Sequence, residues 1–277
     1  DRYPNAENLD ASFRQLIART KQLVLLSTED DLPRRFIETS KVECLTFGVD
    51  GDYMVEPLTN GSLQLSGRFA PAQVESVGAG YFNQVNGSAA LAVLNWMSVD
   101  LPVDVLSSFG GMARRQTTLY HDAQLTVIED YAHHPTEIAA LLHCLRAMAP
   151  DKRLVIVFQP HRYSRTQQFK REFAKVLTSA DQLFLLPVYA AHEEVIVGGT
   201  IDELANEFEG ETPEVLTMDL AGIESLKDAI GTKPSMVAFV GAGDIDLFGS
   251  LYTAMHRFGF ELNAAWADFL KTRVSTD

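Results

Sequence analysis

The chain has 277 residues, of which 46% are hydrophobic, so it is long enough to form one large or two ordinary globular domains. Its formal net charge of -14 repels polyanions and argues against nucleic acid as a partner. No run of about 18 apolar residues and no basic-then-apolar leader occurs, so we expect no membrane insertion, no export and a cytoplasmic location.

The first 110 residues alternate helix and strand and then change to short strands. In chain order we predict a helix from about Ser12 with Phe13, Leu16 and Ile17 on its apolar face, a strand over 23–26, and a charged helix starting near Glu29. Short extended runs fill residues 42–77, and Asn60-Gly61 between two of them predicts a β-hairpin. Apolar residues at three- and four-residue spacing predict a helix over 83–97.

A regular strand-helix series follows the pair Gly110-Gly111, so we place a domain boundary there, between residues 1–110 and 111–277. The predicted strands cover 125–129, 154–158, 182–186, 214–217 and 236–240. Apolar strands separated by amphipathic helices predict a Rossmann-like α/β fold with a mainly parallel sheet covered on both faces. Ligands bind such sheets beyond the carboxyl ends of the strands.

Imidazole and guanidinium side chains follow the first two of these strands. The two strings are Asp130-Tyr-Ala-His133-His134-Pro135-Thr-Glu and Gln159-Pro-His161-Arg162-Tyr-Ser164-Arg165-Thr. Ser164 and Gln167 have capping-box spacing, which predicts a helix from about Arg165 with its positive end in the crevice. We expect the two strands to be neighbours, so that these groups share one pocket suited to a carboxylate or phosphate.

Each of these features also has an ordinary structural interpretation. The side chains of adjacent His133 and His134 point in different directions, so we expect one functional His, one capping or core His, and no shared metal. Arg162 and Arg165 near a helix start are also typical of surface ion pairs. Gly241-x-Gly243 lacks the third glycine of a dinucleotide fingerprint, which favours a simple turn.

The cysteines and the first residue add two expectations. Cys44 and Cys144 are far apart, and neither lies in a C-x-x-C pair or beside His at ligand spacing. We therefore expect two small buried thiols in a reducing compartment, with no disulfide and no structural zinc. The chain begins with Asp1 rather than Met, which is typical of a partial or processed polypeptide.

The two strings resemble the C-terminal domain of the Mur ligases. Further matching pieces occur in the family's order: Asn83-x-x-Asn86, Phe109-x-Gly111-x-x-Arg114-Arg115, Tyr189-Ala-Ala-x-Glu-Glu194 and Gly241-Ala-Gly-Asp-Ile245. Within the family, the chain resembles the members that join L-alanine to UDP-N-acetylmuramate for peptidoglycan. The resemblance covers about residues 1–260. It implies the later part of a central ATPase-type α/β domain, followed by a C-terminal domain that binds the amino acid and closes over the nucleotide.

The resemblance also implies roles for individual residues. The implied cofactor-binding residues are Asn83 and Asn86 at the adenine of ATP, Arg115 at the ribose or phosphates, Asp130 at the ribose hydroxyls, and Tyr131. The implied substrate-binding residues are His133, His161, Arg162 and Arg165, and His133, Arg162 and Arg165 are also the implied catalytic residues. The family uses ATP and Mg2+ to phosphorylate the muramate carboxylate before the amine attacks, with metal ligands expected mainly upstream.

The chain departs from the family pattern at several positions. Phe82 stands at a usual His, and Gln116, Glu129 and His192 replace a usual Phe, Asp and Gly. No G-x-x-x-x-G-K-[ST] motif occurs, so we expect no ATP turnover by the chain alone. Two alternatives stay open: an inactive Mur-like module that binds a nucleotide-sugar or partner protein, and the related ligase that reattaches recycled tripeptide. The oligomeric state does not follow from the sequence.

Overall fold

The computed structural model describes residues 5–29, 34–37, 40–58, 62–76, 80–107 and 109–258. The chain divides into two compact units, Asp1–Gly111 and Met112–Asp277. Both units combine helices with a sheet that contains parallel strands, which confirms the predicted α/β class. Among the described residues, no helix has the length and apolar character needed to span a membrane.

The first unit contains a five-stranded mixed sheet. Its elements are α1 (Ala6–Arg19), β1 (Leu23–Ser27), α2 (Arg34–Ile37), β2 (Glu43–Gly48), β3 (Tyr53–Pro57), β4 (Ser62–Gly67), β5 (Ala72–Glu75) and α3 (Tyr81–Trp96). Strands β1 to β3 are parallel, and β3 to β5 are antiparallel. The β3–β4 pair confirms the predicted hairpin, although Asn60-Gly61 itself lies outside the described residues.

The core of the first unit lies between the sheet and α3. Alternate strand residues such as Leu63 and Leu65 are fully or almost fully buried, and they join Leu91 and Ala92 of α3 in one apolar cluster. Burying such a side chain contributes about 1.5–3 kcal/mol, so this face is enough to dock α3 on the sheet. Cys44 is only half-buried, which corrects the expectation of two buried thiols; Cys144 is buried.

The second unit contains a six-stranded sheet in the order β10-β9-β8-β11-β7-β6. Its elements are β6 (Thr117–His121), β7 (Leu125–Asp130), α4 (Pro135–Met148), β8 (Arg153–Phe158), α5 (Tyr163–Leu177), β9 (Gln182–Leu185), α6 (Ile201–Ala205), β10 (Glu214–Val215), α7 (Leu220–Ile230), β11 (Ser235–Val240) and α8 (Ile245–Phe258). Strand β6 is antiparallel to β7, and the other pairs are parallel. The predicted mainly parallel sheet is confirmed, with β6 as an edge strand that we did not predict.

Helices cover both faces of this sheet, as predicted. In β11, Val237 and Phe239 belong to the apolar cluster that contains α7 and α8. Met236, Ala238 and Val240 belong to the cluster that contains α4, α5 and α6. Because successive strand residues face opposite sides, a strand covered on both faces must be apolar throughout, and every residue of β11 except Ser235 is apolar.

Strand β11 separates β7 from β8. It pairs with both of them, from Ser235 to Val240, although it is the last strand in sequence among the described residues. The prediction that the strands at 125–129 and 154–158 are neighbours is therefore wrong, because sequence order does not determine strand order. At about 4.8 Å between adjacent strands, the two exits are roughly 10 Å apart, and the loop after β11 lies between them.

Candidate functional site

Asp130 anchors the turn that leads from β7 into α4. Its carboxylate is buried, Oδ1 accepts the N–H of Ala132 at 2.8 Å, and Oδ2 accepts the N–H of Gln116 at 2.9 Å. Burial raises the pKa of Asp130 above its usual value, while these two donors and Arg115 act in the opposite direction. These contacts are structural, and the contact of Asp130 with a ribose stays a prediction.

His134 caps α4. Its Nδ1 accepts the N–H of Thr136 at 3.4 Å, and Pro135 follows in the first turn, where the missing N–H of proline costs no helical hydrogen bond. The imidazole packs against Phe169 with 4.7 Å between ring centroids. Burial lowers the pKa of His134, which favours the neutral ring that a cap acceptor needs.

His133 turns away from its neighbour and joins a group of rings. Its Nδ1 lies 2.8 Å from the carbonyl oxygen of Tyr131, and the two rings meet edge to face at 5.4 Å. On another side, the ring centroid of His133 lies 5.8 Å from that of His161, which follows β8. The strings after β7 and β8 therefore meet across the width of β11.

His161 lies at the centre of this ring cluster. It stacks on Tyr189 at 5.4 Å with 21° between the ring planes, and its Nδ1 lies 3.4 Å from Nη1 of Arg165. Burial, followed by the nearby charges of Arg165, His133 and Arg162, lowers the pKa of His161 to about 4. The imidazole is therefore neutral at pH 7.

Arg165 carries the charge of the cluster. Burial lowers its pKa, and the adjacent Arg162 lowers it further, but an arginine stays protonated at neutral pH. The two guanidiniums repel each other, and the carboxylates of Glu137 and Glu193 offset only part of that repulsion. An anionic group such as a carboxylate or an acyl phosphate is therefore the ligand that this cluster favours.

The helix α5 begins two residues earlier than predicted and is capped by a different residue. Its first residue is Tyr163, and Arg162 at the N-cap position makes no side-chain cap bond. Ser164 is not the cap: its hydroxyl donates to Oε1 of Glu193 at 2.6 Å, and its N–H donates to Oε2 at 3.0 Å. The predicted capping box of Ser164 and Gln167 is therefore wrong, because a carboxylate from a distant loop takes its place.

The loop after β11 is a close-packed turn, as Gly241-x-Gly243 predicted. The buried Gln159 donates to Oδ1 of Asp244 at 2.6 Å, and its Oε1 accepts the N–H of Ile245 at 3.0 Å. A Cβ on Gly243 would lie 2.5 Å from Oε1 of Gln159 and 2.6 Å from Cβ of Tyr189. This glycine therefore allows the loop to pack beneath the ring that stacks on His161.

The two adjacent arginines before β6 have different environments. Arg114 donates from Nε to Oε1 of Glu129 at 2.7 Å and from Nη2 to the carbonyl of Gly243 at 2.8 Å. It is a structural clamp between β7 and the glycine turn. Arg115 is exposed, with its guanidinium carbon 5.5 Å from the centroid of the Tyr131 ring. It is the member of the pair that a ligand can reach.

The remaining predicted residues lie in the first unit. Asn83 and Asn86 are on the first two turns of α3, where Asn83 is partly exposed and Asn86 is exposed. Phe82 beside them is partly buried. Within the described residues, no group of three or more His, Cys, Asp or Glu is arranged to hold a metal ion.

Sequence reasoning missed Glu193 and Tyr189 as parts of the cluster. Both lie in the loop that follows β9, and the string 189–194 was noted only as a matching piece. A signal existed, since this string follows a predicted parallel strand, as the other two strings do. A short backbone bridge between His161 and Tyr189 extends the sheet there and brings the two loops together.

Comparisons with known proteins show which proteins this chain is similar to. Residues 114–243 match the family model described as Mur ligase, glutamate ligase domain. The chain is 32% identical over 261 residues to a UDP-N-acetylmuramate–L-alanine ligase of Cytophaga hutchinsonii, with 90% of this chain and 54% of the relative covered. It is 32% identical over 269 residues to the same-named enzyme of Thermobifida fusca, with 90% and 57% covered. The chain thus spans about half the length of these relatives.

Solved structures share the fold. A UDP-N-acetylmuramate-alanine ligase from Thermotoga maritima superposes with a TM-score of 0.66 at 24% identity, over 92% of this chain and 56% of that one. A MurF ligase from the same organism, in complex with ADP, gives a TM-score of 0.63 at 15% identity, over 91% and 58%. At these identities the likeness establishes the architecture of the two units.

Proposed function

We propose that this chain is the amino-acid-binding part of an ATP-dependent ligase of the Mur ligase family, which joins L-alanine to UDP-N-acetylmuramate; the family match over residues 114–243 and the similar ligases support this proposal. The observation that supports this most is the meeting of His133, His161 and Arg165 at one end of the sheet of the second unit. These side chains form a partly buried cationic cluster in a chain of net charge -14.

Arg165 is the proposed anchor for the carboxylate of L-alanine. A guanidinium can donate two parallel N–H bonds to a carboxylate, which fixes the orientation of the amino acid as well as its affinity. Holding the amino acid in one orientation directs its amine at the acyl group that it attacks. His161 is neutral and donates from Nε2 to an oxygen of the carboxylate or the acyl phosphate, and His133 lines the same pocket.

The nucleotide contacts are assigned to a second set of residues. Arg115 is exposed beside Tyr131, so it can reach a phosphate or ribose oxygen of ATP. Asn83 and Asn86 on α3 are proposed to contact the adenine, since amide side chains pair with its donors and acceptors. Asp130 already accepts two N–H bonds, so its proposed ribose contact uses the remaining lone pairs of its carboxylate oxygens.

Mg2+, when bound in an enzyme of this class, neutralises the phosphate charges of ATP. The described residues do not fit it, since they contain no group of three or more His, Cys, Asp or Glu arranged for a metal. The sequence also holds no G-x-x-x-x-G-K-[ST] motif. We therefore assign the metal ligands and the phosphate-binding loop to the part of the relatives that this chain does not cover.

The proposal is tested by ADP release from a full-length protein that contains this chain together with a phosphate-binding loop. ADP release that requires both UDP-N-acetylmuramate and L-alanine is the expected result. Release that requires a tripeptide in place of L-alanine would assign the chain to the recycling ligases instead. No release with either acceptor, together with retained binding of nucleotide-sugar, would favour the inactive module, for which Phe82 at a usual His position is the supporting observation.

A further inference from the structure

The N-terminus of α5 does not cap itself. Arg162 occupies the N-cap position with φ 73° and ψ 137°, a backbone conformation that L-residues rarely adopt. Its side chain makes no cap bond, so the first N–H groups of α5 need acceptors from elsewhere. This start carries two arginines of the candidate site, so whatever holds it also holds them.

Glu193 supplies the missing acceptors from the loop after β9. Both of its carboxylate oxygens bond to Ser164, Oε1 to the hydroxyl at 2.6 Å and Oε2 to the N–H at 3.0 Å. Nη1 of Arg162 lies 3.7 Å from Oε1. Burial alone would raise the pKa of Glu193, but the bonds from Ser164 and the charge of Arg162 outweigh it, so the pKa lies below its usual value and the carboxylate is charged at pH 7.

The surrounding backbone fixes Glu193 in this place. The N–H of Arg162 donates to the carbonyl of Tyr189 at 2.8 Å, which ties the start of α5 to the loop. Ala191 and His192 then have φ of 49° and 66°, and this left-handed turn leads directly into Glu193. A loop held in such a conformation costs folding free energy, and it persists only where the surrounding contacts stabilise it.

A carboxylate at this helix start changes where a ligand can bind. The positive end of α5 favours an anion, and Glu193 already provides one. The charge of Glu193 acts on both arginines, and Nη1 of Arg162 lies 3.7 Å from its Oε1. Glu193 therefore occupies the start of the helix itself, and the candidate anion site lies beside it, at His161 and Arg165.

We propose that Glu193 is a positioning residue, which caps α5 and pairs with Arg162 so that the start of this helix holds Arg165 beside His161, where the carboxylate of the amino acid binds. This role rests on the proposed ligase function. In this role, Glu193 controls the orientation of the amino acid without contacting it.

The test compares Glu193→Gln with Glu194→Gln in the full-length protein. Both variants lose one negative charge at adjacent positions, but Glu194 is exposed. Replacing Glu193 with Gln keeps the size of the side chain, but it removes the charge and one of the two oxygen acceptors that bond to Ser164. Losing a charge-assisted hydrogen bond lowers an equilibrium constant by about tenfold or more. We therefore expect the KM for L-alanine to rise by about that factor in Glu193→Gln. The KM for ATP should stay at its wild-type value, and Glu194→Gln should behave as wild type.

Amide hydrogen exchange of this 277-residue chain gives a readout that needs no catalysis. The N–H of Ser164 should exchange faster in Glu193→Gln than in wild type or Glu194→Gln. Unchanged protection of Ser164, or equal increases in the KM values for L-alanine and ATP, would overturn the positioning role. A wild-type enzyme without any dependence on L-alanine would instead refute the proposed function, and the exchange result would still decide whether Glu193 is the cap.

Discussion

Nη1 of Arg165 lies 3.4 Å from Nδ1 of His161, and this contact decides which nitrogen of the imidazole carries the proton. A guanidinium only donates, so Nδ1 accepts and the ring proton is on Nε2. The cluster thus combines a permanent cation with a neutral donor. The neutral imidazole adds a hydrogen-bond donor for an anion without adding to the repulsion between Arg165 and Arg162.

Replacing Arg165 with Ala in the full-length protein should weaken the binding of L-alanine far more than the binding of ATP. One charge-assisted bond contributes about 1.5–3 kcal/mol, which corresponds to a rise of roughly ten- to a hundredfold in the KM for L-alanine. Steady-state kinetics with each substrate varied in turn measures the difference. Arg165→Lys keeps the charge and loses the paired donors, so it should recover only part of the affinity. Equal effects on both substrates would remove the proposed role.

Protonation of His161 should lower the free energy of unfolding as the pH falls. The folded pKa of about 4 lies below the ordinary value of 6.5, so the unfolded chain binds the proton first as the pH falls. The stability that neutral His161 contributes is therefore complete above pH 6.5 and is lost progressively between pH 6.5 and 4. Urea unfolding at several pH values, compared with His161→Gln, measures this contribution. An identical pH dependence in both proteins would contradict it.

Titration of the same imidazole by NMR should respond to ligand. An anion bound by Arg165 offsets part of the positive field that lowers the pKa of His161, so L-alanine in the assembled enzyme should raise that pKa. The charge of Arg165 also lowers the pKa of His134, so that pKa should rise as well, but by less than that of His161, which Arg165 contacts directly. A ligand-induced shift at His134 with none at His161 would place the anion elsewhere.

Gly243→Ala should destabilise the second unit. The new methyl group would lie 2.5 Å from Oε1 of Gln159 and 2.6 Å from the Tyr189 side chain, so the turn must move. Overpacking of this kind costs about 1–3 kcal/mol. Gly110→Ala is the matched control, because nothing lies within 4 Å of a Cβ built there. Equal free energies of unfolding for the two variants, measured by heat or urea, would show that the turn is not tightly packed.

Arg114 and Arg115 should separate into a structural and a ligand-binding residue. Arg114→Ala removes the charged bond to Glu129 and the bond to the carbonyl of Gly243, which should lower the free energy of unfolding by about 1.5–3 kcal/mol or more. Arg115→Ala should leave unfolding unchanged and raise the KM for ATP. A loss of stability in Arg115→Ala together with a raised KM for ATP in Arg114→Ala alone would show that the two roles are reversed.

The sequence predicted which strands end at the site, and it did not predict how those strands are arranged. The strings after β7 and β8 stand out because charged groups follow apolar runs, and parallel strands bring such ends to one edge. Strand order depends on how each crossover packs on the sheet, and this information is distributed over the whole unit. The insertion of β11 between β7 and β8 therefore had no local signal.

The start of α5 shows the same limitation at a smaller scale. Ser164 and Gln167 have the spacing of a local cap, and the local pattern favours that solution. The observed cap is Glu193, which is 29 residues from Ser164 along the chain. The pairing of β9 with β8 brings these two residues together, so residue spacing around α5 could not indicate the contact.

The central place of β11 also governs when the cluster can exist during synthesis. A nascent chain that has not yet delivered Ser235–Val240 lacks the strand that joins β7 to β8, so the imidazoles of His133 and His161 have no common scaffold. Such late, long-range pairing is slow relative to local contacts. The pocket therefore assembles at the end of translation of this unit, and a polypeptide that stops short of Ser235 holds both histidines without the arrangement that makes them useful.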